Sequence, residues 1–132
     1  MRLCSNVPAQ FAIQTALGGY QSIQDLLKPE GRLGKQREYA FNRISNMPGL
    51  TCVKPNGAFY LFPKLDIKRF RIKNDQQFVL DLLNQQHLLV VQDSGFNWQA
   101  PDHFRLTFLP NLDDMKEAMD KLEQFLQHYV QN

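Results

Sequence analysis

The sequence predicts an α+β domain in which amphipathic helices cover a small, mostly antiparallel sheet. Three observations carry this. Residues His103 to Pro110 alternate, with Phe104, Leu106 and Phe108 on one face of an extended strand and His103, Arg105 and Thr107 on the other. Leu112, Met115, Met119, Leu122, Leu126 and Tyr129 recur at three- and four-residue spacing, the stripe of a core-facing helix. Earlier in the chain, short apolar stretches and longer helical patterns are punctuated by proline and glycine.

The elements follow in order. Asn6 is a good N-cap and Pro8 sits in the first turn, where its missing N–H does no harm. Phe11, Ala12, Ala16 and Leu17 give this first helix a narrow apolar face. Gly18-Gly19 ends it, glycine adopting the left-handed C-cap with little strain. A short amphipathic segment, Ser22 to Leu27, stops at Pro29 and Gly31. A long helix follows from Arg32 to Asn46, with Leu33, Ala40, Phe41, Ile44 and Met47 near a 3.6-residue period, and breaks at Pro48-Gly49. Leu50–Lys54 and Ala58–Phe62 read as two strands, and Pro55-Asn56-Gly57 as the turn of a tight antiparallel hairpin between them. Ala58–Phe62 is almost wholly apolar, so both its faces are expected to be covered. Asn74 or Asp75 caps a helix with Phe78, Val79, Leu82 and Leu83 inward. Leu88–Val91 is a short buried strand, Asp93–Trp98 a loop, and Asn111 caps the last helix, with Asp113 and Asp114 favoured by the dipole of its first turn. The long elements run α, α, β, β, α, β, β, α.

A length of 132 residues suits one domain with one core. A net charge of +2 is too small to argue for nucleic acid or an anionic membrane. The one basic run, Lys68 to Lys73, reads as a solvated loop or an edge strand. Cys4 and Cys52 lack a CxxC spacing, so neither a metal site nor a disulfide framework is expected, and Cys52 reads as a small core residue. No apolar run approaches the ~18 residues of a membrane span, and the start at Met1 has no signal-peptide pattern, so a reducing, cytoplasmic setting is expected.

The chemistry centres on Arg105. A guanidinium in mid-strand among apolar neighbours needs a partner, because burying an unpaired charge is costly. Two readings stand: a salt bridge to an acid of this domain, or a ligand carboxylate held by two parallel hydrogen bonds. The glycines fit neither GxGxxG nor a P-loop, and Ser94-Gly95 is not a nucleophile elbow. His87, His103 and His128 lack metal-ligand spacing, and His103 reads as a strand-end surface residue. No catalytic, cofactor-binding or metal residue is assigned.

Two motifs add what spacing does not. Pro55-Asn56-Gly57-Ala58-Phe59-Tyr60-Leu61-Phe62-Pro63 resembles the "GA(F/M)Y-FP" segment of alanine aminotransferases and related class I/II aminotransferases. His103-Phe104-Arg105-Leu106-Thr107-Phe108-Leu109-Pro110 resembles their "HFR-T-LP" strand. Ser5 to Gln10 is similar to the helix after their cofactor-lysine region, and the final stripe to their terminal helix. The likeness spans essentially the whole chain.

The resemblance implies the carboxy-terminal small domain of a fold type I, pyridoxal 5'-phosphate-dependent enzyme. It implies that Arg105 binds the α-carboxylate of an amino-acid or 2-oxo-acid substrate, with Tyr60, Leu61 and Gly95 as lining candidates. It implies a large cofactor-binding domain preceding the equivalent of Met1, a homodimer at full length, and alanine/2-oxoglutarate transamination. None of the eight lysines lies in a Schiff-base motif, so this chain alone is expected neither to hold the cofactor covalently nor to transaminate. The alternative is a freestanding amino-acid-binding or structural module without catalysis.

Overall fold

The computed structural model describes residues 6–132. Cys4 and Ser5 lie outside the described residues. Six helices and five short strands follow one another: α1 (Val7–Gly18), α2 (Ile23–Leu27), α3 (Arg32–Ser45), β1 (Leu50–Thr51), β2 (Tyr60–Leu61), β3 (Lys64–Leu65), α4 (Ile67–Phe70), α5 (Asp75–Gln86), β4 (Val91–Gln92), β5 (Phe104–Thr107) and α6 (Leu112–His128), with a 3-10 turn at Asp93–Phe96. All strand pairs are antiparallel, and the α+β expectation holds.

The caps behave as their residue types dictate. Asn6, Asn74 and Asn111 each accept backbone N–H bonds at the start of α1, α5 and α6. One cap differs: Gly19 closes α1 in an extended conformation (φ −90°), not a left-handed one, with its N–H on the Thr15 carbonyl. The left-handed glycine is Gly49 instead (φ +90°), where a Cβ would come within 2.6 Å of the Phe70 ring.

The expected hairpin does not form. β1 pairs with β3 (Leu50 opposite Leu65), while β2 pairs with β5 (Tyr60 opposite Thr107). The bend at 56–59 is there, but positive φ falls on Ala58 (φ +58°), not on Asn56 or Gly57. Turn chemistry bends the chain without choosing a partner; Leu61, fully buried, makes that choice by packing with β5. Nor are both faces of 58–62 covered. Leu61 is interior, whereas Phe59 and Tyr60 are exposed. The basic run is not an edge strand: it begins as a helical turn and continues from 71 to 73 as loop, with its charged side chains exposed. Asp66 caps the single turn α4 by accepting from Lys68 and Arg69 N–H, Arg71 closes it in the left-handed region, and Phe70 and Ile72 anchor it in the core. Cys52 lies just past β1, partly buried against the core, and burial pushes its thiol pKa up.

The core lies between α3, α5 and α6 and the inner faces of the strands. Phe104, Leu106 and Phe108 point into it, as the alternation predicts, and so does the α6 stripe. Phe78 of α5 is the junction: its ring lies 5.5 Å from Phe104, 5.8 Å from Phe125 and 5.5 Å from Tyr129. Outside, Arg43 of α3 ties to Asp120 and Glu123 of α6 at 2.7 and 2.8 Å. Among the described residues the apolar face expected for α1 is uncovered: Phe11 is 83% exposed and Leu17 74%.

Truncating Phe78 to alanine should destabilise the chain by about 3–5 kcal/mol in urea unfolding. Phe11→Ala, on the uncovered helix, should change it by less than about 0.5 kcal/mol. Similar losses for the two would show that α1 packs as part of this core.

Candidate functional site

The three-stranded sheet runs β2–β5–β4, so β5 is central and its outer face is flanked on both sides. Arg105 stands on that face, opposite Val91 of β4 and diagonal to Tyr60 of β2. The guanidinium carbon sits 4.4 Å from the Tyr60 ring centroid and 4.1 Å from that of Phe96. Two aromatic rings therefore cover the guanidinium, a favourable cation–π arrangement.

Among the described residues no aspartate or glutamate lies within ion-pair distance of Arg105, and no side chain or backbone carbonyl accepts from its guanidinium. Its Nε is buried without a partner. The internal salt bridge, one of the two readings of this strand, is absent within the described residues. What remains is a flat cation, stacked and partly desolvated, with its hydrogen-bond donors unspent. Such a group matches a carboxylate.

Phe96 comes from the Asp93–Phe96 turn, which the sequence places in a loop. Asn97 closes the turn in the left-handed region (φ +60°), a conformation asparagine tolerates. Gly95 lies exposed beside Phe96, and a Cβ there would meet nothing nearer than the Gln92 side chain at 3.9 Å. Leu61 is sealed in the core on the face away from Arg105.

Beneath the turn is a polar network that sequence reasoning missed. Asp93 is wholly buried and its Oδ2 accepts the His103 N–H at 2.6 Å. Asp75, at the start of α5, accepts the Ser94 N–H at 2.7 Å. Burial, and then the facing Asp75, push Asp93 up to about 7, against the hydrogen bonds from His103 and Ser94. Burial works against the Asp75 carboxylate too, but bonds from Asp93, Ser94 and Gln76 outweigh it and hold its pKa below the usual value. The only sign in the sequence was an acid between a strand and Ser-Gly, which is also an ordinary turn signal.

His103 is not a surface residue. It stacks on Phe62 at 4.6 Å and shares a 2.6 Å hydrogen bond with Asp102. Asp102 also accepts from Trp98 Nε1 at 3.0 Å and pairs with Lys64 at 3.3 Å. Burial opposes the charge on Asp102, but these donors, His103 first, keep its pKa below the ordinary range. Asp93, Asp102 and His103 each bring a donor atom to within 4.8 Å of one another. Those of Asp102 and His103 are already committed to each other and to Lys64, so the group is a hydrogen-bonded network. The residues present do not fit a covalently held pyridoxal phosphate either. Seven of the eight lysines are exposed, and half-buried Lys121 is paired with Glu117 at 2.6 Å, so no lysine is desolvated in a pocket.

Comparison with known proteins matches residues 1–122 to the family of class I and II aminotransferases. The glutamate-pyruvate aminotransferase AlaA of Haemophilus influenzae is 56% identical over 131 residues, which is 99% of this chain and 32% of that protein. The crystal structure of an aminotransferase from Escherichia coli superposes with a TM-score of 0.90 at 55% identity, over 100% of this chain and 33% of that one. An alanine aminotransferase from Pyrococcus furiosus gives a TM-score of 0.80 at 41% identity, over 95% and 31%. The chain thus spans about a third of the length of the relatives it matches.

The raised Asp93 carboxyl has a consequence for stability. Above about pH 4 the unfolded acid ionises while the folded one keeps its proton up to about 7, so its contribution to stability is complete below that interval and falls across it. Asp75 and Asp102 act in the opposite sense, contributing less as pH falls. The difference between wild type and Asp93→Asn isolates the first effect. In thermal unfolding, the Tm of wild type relative to the variant should fall from about pH 4 to about 7 and level off above; a constant difference would show that Asp93 ionises normally.

Proposed function

The chain belongs to the class I and II aminotransferase family, and we propose that within a longer enzyme it is the small domain whose Arg105 binds the α-carboxylate of an amino-acid or 2-oxo-acid substrate. The observation that carries this is the guanidinium between Tyr60 and Phe96 with no protein anion beside it. The reaction we propose is amino-group exchange between alanine and 2-oxoglutarate. It is supported by the identity to a glutamate-pyruvate aminotransferase and by the structural likeness to an alanine aminotransferase.

In this reading the two rings hold the guanidinium plane still and exclude water from its faces. A bidentate carboxylate then fixes the substrate's rotation, which sets the direction of its Cα–H bond. Arg105 orients and takes no proton. Tyr60 positions the arginine by stacking on it, and Gly95 belongs to the exposed turn beside it. Pyridoxal 5'-phosphate, the cofactor this family implies, supplies the electron sink, and its covalent anchor is proposed to lie in a separate large domain. The uncovered Phe11 and Leu17 of α1 are surface that such a domain would cover. The same reading extends to a homodimeric enzyme in the cytoplasm, where the free thiol of Cys52 is at home. No helix among the described residues is long and apolar enough to cross a membrane.

Replacing Arg105 by lysine in the full enzyme removes the planar fork but keeps the charge. Losing a charge-assisted bidentate contact of about 1.5–3 kcal/mol should lower kcat/KM for alanine about 10- to 100-fold, read as pyruvate formed with 2-oxoglutarate as acceptor. Wild-type turnover in the lysine variant, or no pyruvate from the parent enzyme, would overturn the assignment.

A further inference from the structure

We propose that Asp93 and Asp75 are positioning residues for the arginine site: their carboxyls clamp the Asp93–Phe96 turn between α5 and β5 and so hold the Phe96 ring against Arg105. This rests on reading Arg105 as the substrate's carboxylate anchor.

The Phe96 ring is 45% exposed, so packing by its own chain does not fix it well. Its place depends on the backbone beneath it, and that backbone is tied at both ends. Asp75 Oδ2 takes the Ser94 N–H at 2.7 Å, joining the turn to α5. Asp93 Oδ2 takes the His103 N–H at 2.6 Å, joining the turn to the chain two residues before Arg105. Within the turn, Asn97 N–H reaches the Ser94 carbonyl at 3.2 Å. The carboxyl pair thus spans the two sides whose separation sets the distance from Phe96 to the guanidinium, 4.1 Å.

The clamp is also gated by a proton. The charged and titratable groups around Asp93 are Asp75 from α5, Asp102 and His103 from the approach to β5, and Lys64 from β3. Lys64 reaches Asp102, at 3.3 Å, and no ion pair is made to Asp93. Asp93 Oδ1 is buried and meets no N–H donor. A buried acid without a cation is tolerated while it carries its proton. Ionisation sets two like charges face to face and works against both tethers. Asparagine at 93 stays neutral at every pH and keeps a carbonyl that can accept from His103.

The test is steady-state kinetics in the enzyme that contains this chain, with alanine as the varied substrate, across the neutral pH range. Phe96→Ala and Asp93→Ala should each raise KM about 3- to 30-fold, the worth of one cation–π contact, with kcat within about twofold because the contact serves ground and transition states alike. The double variant should be no worse than either single, since both remove one interaction. Wild-type KM should climb as the pH passes about 7, and Asp93→Asn should keep the low-pH KM throughout. An unchanged KM in Asp93→Ala, additive losses, or the same pH profile in Asp93→Asn would each overturn the clamp. Should Asp93→Ala fail to fold, the Asp93→Asn profile decides alone. Arg105→Lys separates the two readings. If it lowers kcat/KM while Asp93→Ala leaves KM unchanged, only the clamp fails; if it leaves kcat/KM unchanged, the anchor fails with it.

Discussion

An arginine on the middle strand of a small sheet ordinarily meets an acid, because a desolvated cation without an anion is unstable. Here the chain supplies two aromatic rings, at 4.4 and 4.1 Å, and withholds the acid. The rings offer the guanidinium faces some compensation while leaving its in-plane donors free. That balance depends on the rest of the domain. Tyr60 reaches Arg105 because β2 pairs with β5 and not with β1, and Phe96 reaches it because a buried carboxyl pair holds the intervening turn.

The core and the site occupy opposite faces of one strand. Phe104, Leu106 and Phe108 seal the inner face against Phe78 and the α6 stripe, so β5 is held rigidly in register. Arg105 and Thr107 are thereby presented outward from a fixed backbone. Polar satisfaction follows the same division. Around the strand's entry, Asp102, His103, Trp98 and Lys64 bond one another, and Asp93 takes up a backbone N–H that would otherwise go unpaired. On this face of the strand the Arg105 guanidinium keeps a buried donor without a partner among the described residues.

Resemblance and residue chemistry agreed on Arg105 by separate routes. The motif around it pointed to a carboxylate, and the strand's alternation put the cation on the non-core face. The surrounding geometry was less legible. Phe96 falls in a stretch that reads as loop, and His103 reads as a surface residue. Asp93 falls within the stretch read as a loop, and nothing in its neighbours in the chain marks it as a buried acid.

From the order of its residues alone this protein had its α+β class, its asparagine caps, its α6 stripe and the inward face of β5, since each depends on neighbours within a few positions of the chain. Strand partnership did not follow from local order. Pro55-Asn56-Gly57 bends the backbone, but whether Leu61 lies beside Leu50 or Leu106 is settled by which pairing buries it fully. The basic run at 68–73 opens with a helical turn and is held by Phe70 and Ile72, which are buried in the core. The rings on Arg105 and the bonds from Ser94 to Asp75 and from His103 to Asp93 likewise join residues far apart in the chain. Such contacts, and the shift in acidity they cause, exist only once burial has brought the groups together and taken the water away.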